Sequence, residues 1–152
     1  MDQMILNLGD SSHFVRVLVR LLLAVFLGGL VGLEREKERK RAGIRTHMLV
    51  ALGAALFTLI AFESKMTTAD ISRVMQGVAA GIGFLGAGTI LKVSDEHQVK
   101  GLTTAASIWL TAALGMAVGA GLIWPSLITV GLAWFILFVV HRFEHHDTPR
   151  EL

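Results

Sequence analysis

The chain has 152 residues, 53% of them hydrophobic and 17% charged, with a mean hydropathy of +0.63 and a formal net charge of +2. That balance leaves no room for a sizeable soluble domain, and the basic residues are too few and too mixed with acids for a nucleic-acid footprint. Cysteine is absent, which excludes disulfides, thiolate metal sites and cysteine nucleophiles. Runs of about 20 apolar residues suffice to cross a hydrocarbon core roughly 30 Å thick, so the composition reads as a small polytopic membrane protein of all-α class.

Residues 1–13 form a short N-terminal segment. Met4, Ile5, Leu6 and Leu8 suggest an interfacial turn before the loop Gly9-Asp10-Ser11-Ser12, and Ser11 or Ser12 suits an N-cap. Asp2 and Asp10 stand where a cleaved leader would carry basic residues, and the first apolar run is longer than a signal core. The first span is expected over about residues 14–33. Arg16 and Arg20 lie one turn apart near its start, where they can snorkel to headgroups. Gly28 and Gly32 make a GxxxG step that lets another helix approach closely.

A dense charge block follows. Between Glu34 and Arg45 stand six basic residues (Arg35, Lys37, Arg39, Lys40, Arg41, Arg45) and three acids (Glu34, Glu36, Glu38). Placed between two apolar runs, the block reads as a cytoplasmic hairpin. Glu34 is expected to satisfy Arg45 or Arg35, the alternative being that Arg45 reaches lipid phosphate. The second span covers about residues 44–62. Asp70 then precedes an apolar helix and stands three residues before Arg73, as an N-cap or as one half of a buried ion pair.

The third span, about residues 74–93, carries Gly77, Gly81, Gly83, Gly86 and Gly88. Each glycine costs a helix roughly 1 kcal/mol against alanine in water, so this much glycine predicts a central helix with close neighbours, kinked near residues 83–88. Residues 92–101 read as a polar loop. Its Asp95, Glu96 and His97 lack the order of a calcium loop, and metal binding stays open. The fourth span, about residues 102–120, carries the hydroxyls of Thr103, Thr104, Ser107 and Thr111, able to bond within or across helices. The fifth runs over about residues 122–140, with Pro125 in its first turn. Residues 141–152, with three histidines, read as a solvated tail.

Five spans with the basic hairpin inside put ten Lys/Arg on the inner segments and four on the outer ones, so the N-terminus is expected outside and the C-terminus inside. No phosphate-binding loop, Ser-His-Asp set or HExxH pattern occurs, which points away from an enzyme and from a bound cofactor.

Three segments carry a more specific signal: GGLVGLEREKERKRAGIRTHMLVALGAALF at 28–57, DISRVMQGVAAGIGFLGAGTILK at 70–92 and VKGLTTAASIWLTAALGMAVGAG at 99–121. In order and spacing they resemble the membrane domain of the bacterial MgtC/SapB family over about residues 14–140. The resemblance implies a five-span inner-membrane protein linked to growth at low magnesium and, in pathogens, to virulence. It favours a non-enzymatic regulator of membrane partners, such as a magnesium transporter, an F-type ATP synthase or a second copy of the chain. The alternative it leaves is an oligomeric transporter of magnesium or another ion. Its polar signature falls on Glu34, Arg35, Arg45, Thr46, His47, Asp70, Arg73, Lys92, Thr103 and Thr104. Many members continue into an ACT-like cytoplasmic domain, and this chain resembles the short members without one.

Overall fold

The computed structural model describes residues 11–93 and 98–140. The interfacial turn read at residues 4–8, the ligand-like group Asp95 to His97 and the histidine tail lie outside them. Among the described residues the chain forms five helices and one small ribbon: α1 (Ser11–Lys37), α2 (Ile44–Glu63), α3 (Thr68–Ala87), β1 (Leu91–Val93), β2 (Gln98–Lys100), α4 (Leu102–Gly119) and α5 (Ile123–Trp134), the last running on into a π-helical turn, Phe135–Val140.

The expectation of five membrane spans is corrected by these elements, and the orientation counted from five crossings falls with it. Three helices, α1, α2 and α4, are long and apolar enough to cross a membrane. Helix α3 has the length, but Asp70, Arg73 and Gln76 fill its first half with polar groups. Helix α5 has only 12 regular residues, about 18 Å of rise, before the π-helical turn. The loop expected at 92–101 contains the antiparallel ribbon, with Leu91 opposite Lys100 and Val93 opposite Gln98.

Helix α1 runs through the charge block because Glu, Arg and Lys are good helix formers. It stops where Arg39 turns left-handed at φ 51°, and Lys40 N–H closes the end on the Arg35 carbonyl at 3.0 Å. Helix α3 is capped by Thr67, not Asp70. The Thr67 hydroxyl accepts from Asp70 N–H at 3.2 Å and donates to the Asp70 carboxylate at 2.6 Å. Gly101 sits at φ 100° with its α-carbon facing the Thr89 carbonyl, where any side chain would collide.

The core lies where α1, α2 and α4 meet. Ala24, Leu27 and Val31 of α1, Ala51 and Ala55 of α2, and Leu114 and Val118 of α4 are buried together, with Val130 and Leu137 closing the side. Helix α2 is the middle of this stack, and its inner residues are small. A Cβ on Gly28 would stand 2.6 Å from the His47 carbonyl, and one on Gly32 2.6 Å from the Ile44 α-carbon. From α4, Gly115 faces the Ala51 carbonyl, and a Cβ on Gly119 would stand 2.5 Å from the Ala55 carbonyl. Two glycine steps, one on each neighbour, thus hold α2 backbone to backbone.

Candidate functional site

Four of the ten signature residues gather at one end of the bundle, next to the basic loop. Glu34 and Arg35 come from the last turns of α1, His47 from the first turn of α2 and Thr104 from the first turn of α4, and all four are buried. His47 is the centre of this group. Its Nδ1 lies 2.9 Å from the Gly43 carbonyl, which can only accept, so Nδ1 carries a proton. Its Nε2 lies 3.3 Å from the Ser107 hydroxyl. Ser107 in turn donates to the Thr104 carbonyl at 2.8 Å, and Thr111 donates to the Ser107 carbonyl at 2.8 Å. The polar seam therefore runs down the buried face of α4 and is tied to α2 by one imidazole.

The expected ion pair of Glu34 with Arg35 or Arg45 does not form among the described residues, whose ion pairs are His13–Glu63 at 2.7 Å and Arg73–Asp70 at 2.6 Å. Arg35 Nε is buried without a hydrogen-bond partner. Arg45 is exposed on α2 and Thr46 half-buried, and Thr103 is exposed beside buried Thr104. Glu36 takes a role the sequence did not suggest: its carboxylate accepts from Ile44 N–H at 2.9 Å and so caps α2 across the loop.

Asp70 and Arg73 lie at the opposite end, a 20-residue helix away, or about 30 Å. Their side chains, 45% and 74% exposed, pair one turn apart on the surface of the bundle. Lys92 lies on β1 opposite Val99. At that same far end Arg20 does not reach outward. It donates to the Gly119 carbonyl at 3.2 Å, satisfying one of the last carbonyls of α4.

The glycines separate into two groups. Gly28 and Gly32 are packed against α2, and Gly86 stands in ordinary contact with Ala105. Gly88 faces only the last turn of its own helix, and Gly77, Gly81 and Gly83 have no atom of another element within 4 Å of a Cβ position. Gly86 is the one buried residue of α3. Gly115 and Gly119, not among the glycines expected to pack helices, carry the tightest helix contact; their own small-xxx-small spacing was the available signal. Ser107 shares a helical face with Thr104 and Thr111 at three- and four-residue spacing, which marks it in the same way.

Apolar helices of spanning length, locked through glycine steps around a buried polar seam, define a multi-pass helical membrane protein. The chain belongs to the MgtC family, whose profile matches residues 21–146. It is 48% identical over 114 residues to Protein SrpB of Synechococcus elongatus, a match covering 68% of this chain and 63% of that one. It is 40% identical over 135 residues to the Escherichia coli protein named "Putative magnesium transporter YhiD", covering 82% and 60%. To Protein MgtC of Brucella abortus it is 48% identical over 102 residues, covering 66% and 41%. The chain thus spans 41% to 63% of the length of these relatives. No solved structure matches. The family is associated with magnesium homeostasis and virulence, and this chain is a multi-pass inner-membrane protein.

Proposed function

We propose that the chain is a regulator that acts by docking against another inner-membrane protein in magnesium-linked growth, with residues 14–140 as the acting domain. The observation that carries this reading is the unequal use of small residues. The glycine steps of α1 and α4 are consumed inside the bundle, whereas α3 leaves its own open. Ala80, Gly83 and Ala87 recur three or four residues apart, so they share one side of α3, and all three are exposed. Inside a bilayer, close approach of small-residue faces is the main way helices associate. A partner helix, from a magnesium transporter, an F-type ATP synthase or a second copy, fits that side.

The test is growth of a deletion strain at limiting magnesium, complemented by wild type or by Gly83→Leu. A Cβ at Gly83 meets nothing, so the variant is expected to reach the membrane and unfold at the wild-type temperature. It should fail to complement and fail to retain the co-purifying partner. Full complementation by Gly83→Leu rejects the docking face.

The name of the Escherichia coli relative favours a second reading, an oligomeric transporter of magnesium or another cation. Under that reading Glu34 and His47, buried at the junction of three helices, are the groups to follow. Liposomes holding the purified chain and showing no magnesium or proton flux would remove it.

A further inference from the structure

Between α2 and α3 lies an open apolar groove of about 600 Å³, within the roughly 300–1,000 Å³ typical of small-ligand sites. Leu49, Gly53 and Phe57 form its α2 side, and Val74, Gly77 and Gly81 stand among the residues of its α3 side. It is on the other side of α3 from Gly83. Three of its walls are bare backbone: Gly53, Gly77 and Gly81 all have free space where a Cβ would be. We infer that this groove is a binding site for one acyl chain of an anionic phospholipid, whose phosphate is held by Arg45.

Length fits a lipid tail. From Leu49 to Phe57 the groove follows α2 for eight residues, about 12 Å of rise. That is close to the depth of a single leaflet, about half of a 30 Å hydrocarbon core. Beyond Val74 the α3 side of the groove turns polar at Arg73, Ser72 and Asp70, so the apolar slot ends at that depth.

Charge says which lipid. Arg45 stands four residues before Leu49 on α2, hence on the same face and one turn beyond the end of the groove. It is exposed and makes no ion pair among the described residues. Arg39, Lys40 and Arg41, all exposed, lie in the α1–α2 loop that leads into the same end of α2. Of the nearby acids, Glu36 is engaged with Ile44 N–H, Glu34 is buried, and Glu38 is half-buried and interacts with Arg35. A guanidinium offers a phosphate two parallel N–H donors, and a basic cluster at the end of a membrane helix attracts anionic headgroups. The site thus has an apolar slot of one-leaflet depth and a cation at its polar mouth.

Native mass spectrometry of the detergent-purified chain, titrated with phosphatidylglycerol or phosphatidylcholine, tests the site. Wild type should retain one phosphatidylglycerol and prefer it about tenfold over phosphatidylcholine. Arg45→Gln, a change on an exposed side chain, should bring the two lipids level. Gly81→Leu, which fills the slot, should lose the tightly held lipid, while Gly83→Leu on the other side of α3 keeps it. Equal binding of both lipids by wild type overturns the proposal, as does an unchanged preference in Arg45→Gln. A Gly81→Leu variant that keeps its lipid but loses a dimer would assign the groove to a second copy instead.

Discussion

At the scale of single residues, the fold depends on a few places where one backbone touches another. Gly115 faces the Ala51 carbonyl so closely that a side chain there must displace α2 or α4. Neither can move easily, because α1 packs against both, with Gly28 meeting the same Ala51 and Gly32 meeting Ile44. Overpacking a tight core costs typically 1–3 kcal/mol, and both walls here are backbone. Gly115→Val is therefore expected to lower the midpoint of thermal unfolding in detergent by several degrees. Gly53→Val, at a position with open space, should leave it nearly unchanged. Equal midpoints for the two variants would mean that the three-helix stack is not the stabilising core. His47 belongs to the same scale: it fills the space Gly32 leaves, and its two ring nitrogens join the start of α2 to the hydroxyl seam of α4.

At the scale of elements, the ends decide more than the middles. Gly43 begins α2 without a side chain of its own to cap it, and Glu36 reaches across the loop to serve Ile44 N–H. Loss of an N-cap costs about 0.5–2 kcal/mol, and the exposure of this one places it toward the lower figure. Glu36→Ala should speed amide exchange at Ile44 severalfold while Glu36→Gln, which keeps an acceptor, stays near wild type; unchanged exchange in both removes the cap. Such a cap was not legible in the sequence, since it joins residues eight apart around a turn set by the left-handed Arg39. What was legible is the apolar patterning: the span read at 44–62 is α2 within one residue. Helix α3 starts six residues before the expected position, because Thr67 supplies the cap and Asp70 sits inside the first turn. Glu34, Arg35, His47 and Thr104 were named together through the family resemblance alone, and their common burial was not legible: the first span was expected to end at residue 33 with Glu34 and Arg35 in the polar hairpin, whereas α1 runs on to Lys37. Nor was the wiring of this group legible, since the His47–Ser107 contact joins residues 60 apart in the chain.

At the scale of the whole molecule, the distinction that matters is between apolar length and apolar side. Helices α1, α2 and α4 each contain an apolar stretch long enough to cross a membrane, whereas α3 changes character midway. Its residues up to Gln76 carry Asp70, Ser72 and Arg73, and the rest, through Ala87, are apolar or glycine. The apolar part is 11 residues, about 16 Å of rise, enough for one leaflet and short of two. Water should therefore reach α3 at Gln76, while exposed apolar positions at the middle of α1 and α2 face lipid. The chain has no cysteine, so single substitutions report without background. Gln76→Cys in membrane vesicles should react with a water-soluble maleimide applied to both faces, whereas Leu22→Cys and Leu56→Cys, whose native side chains are 59% and 44% exposed, should stay unlabelled until the membrane is dissolved. Exposure to lipid and exposure to water are separated by that contrast, since all three positions are open in the isolated chain. Protection of Gln76→Cys equal to that of Leu22→Cys would place the polar start of α3 inside the hydrocarbon. Its Asp70–Arg73 pair would then need burial by a partner that the chain does not itself supply.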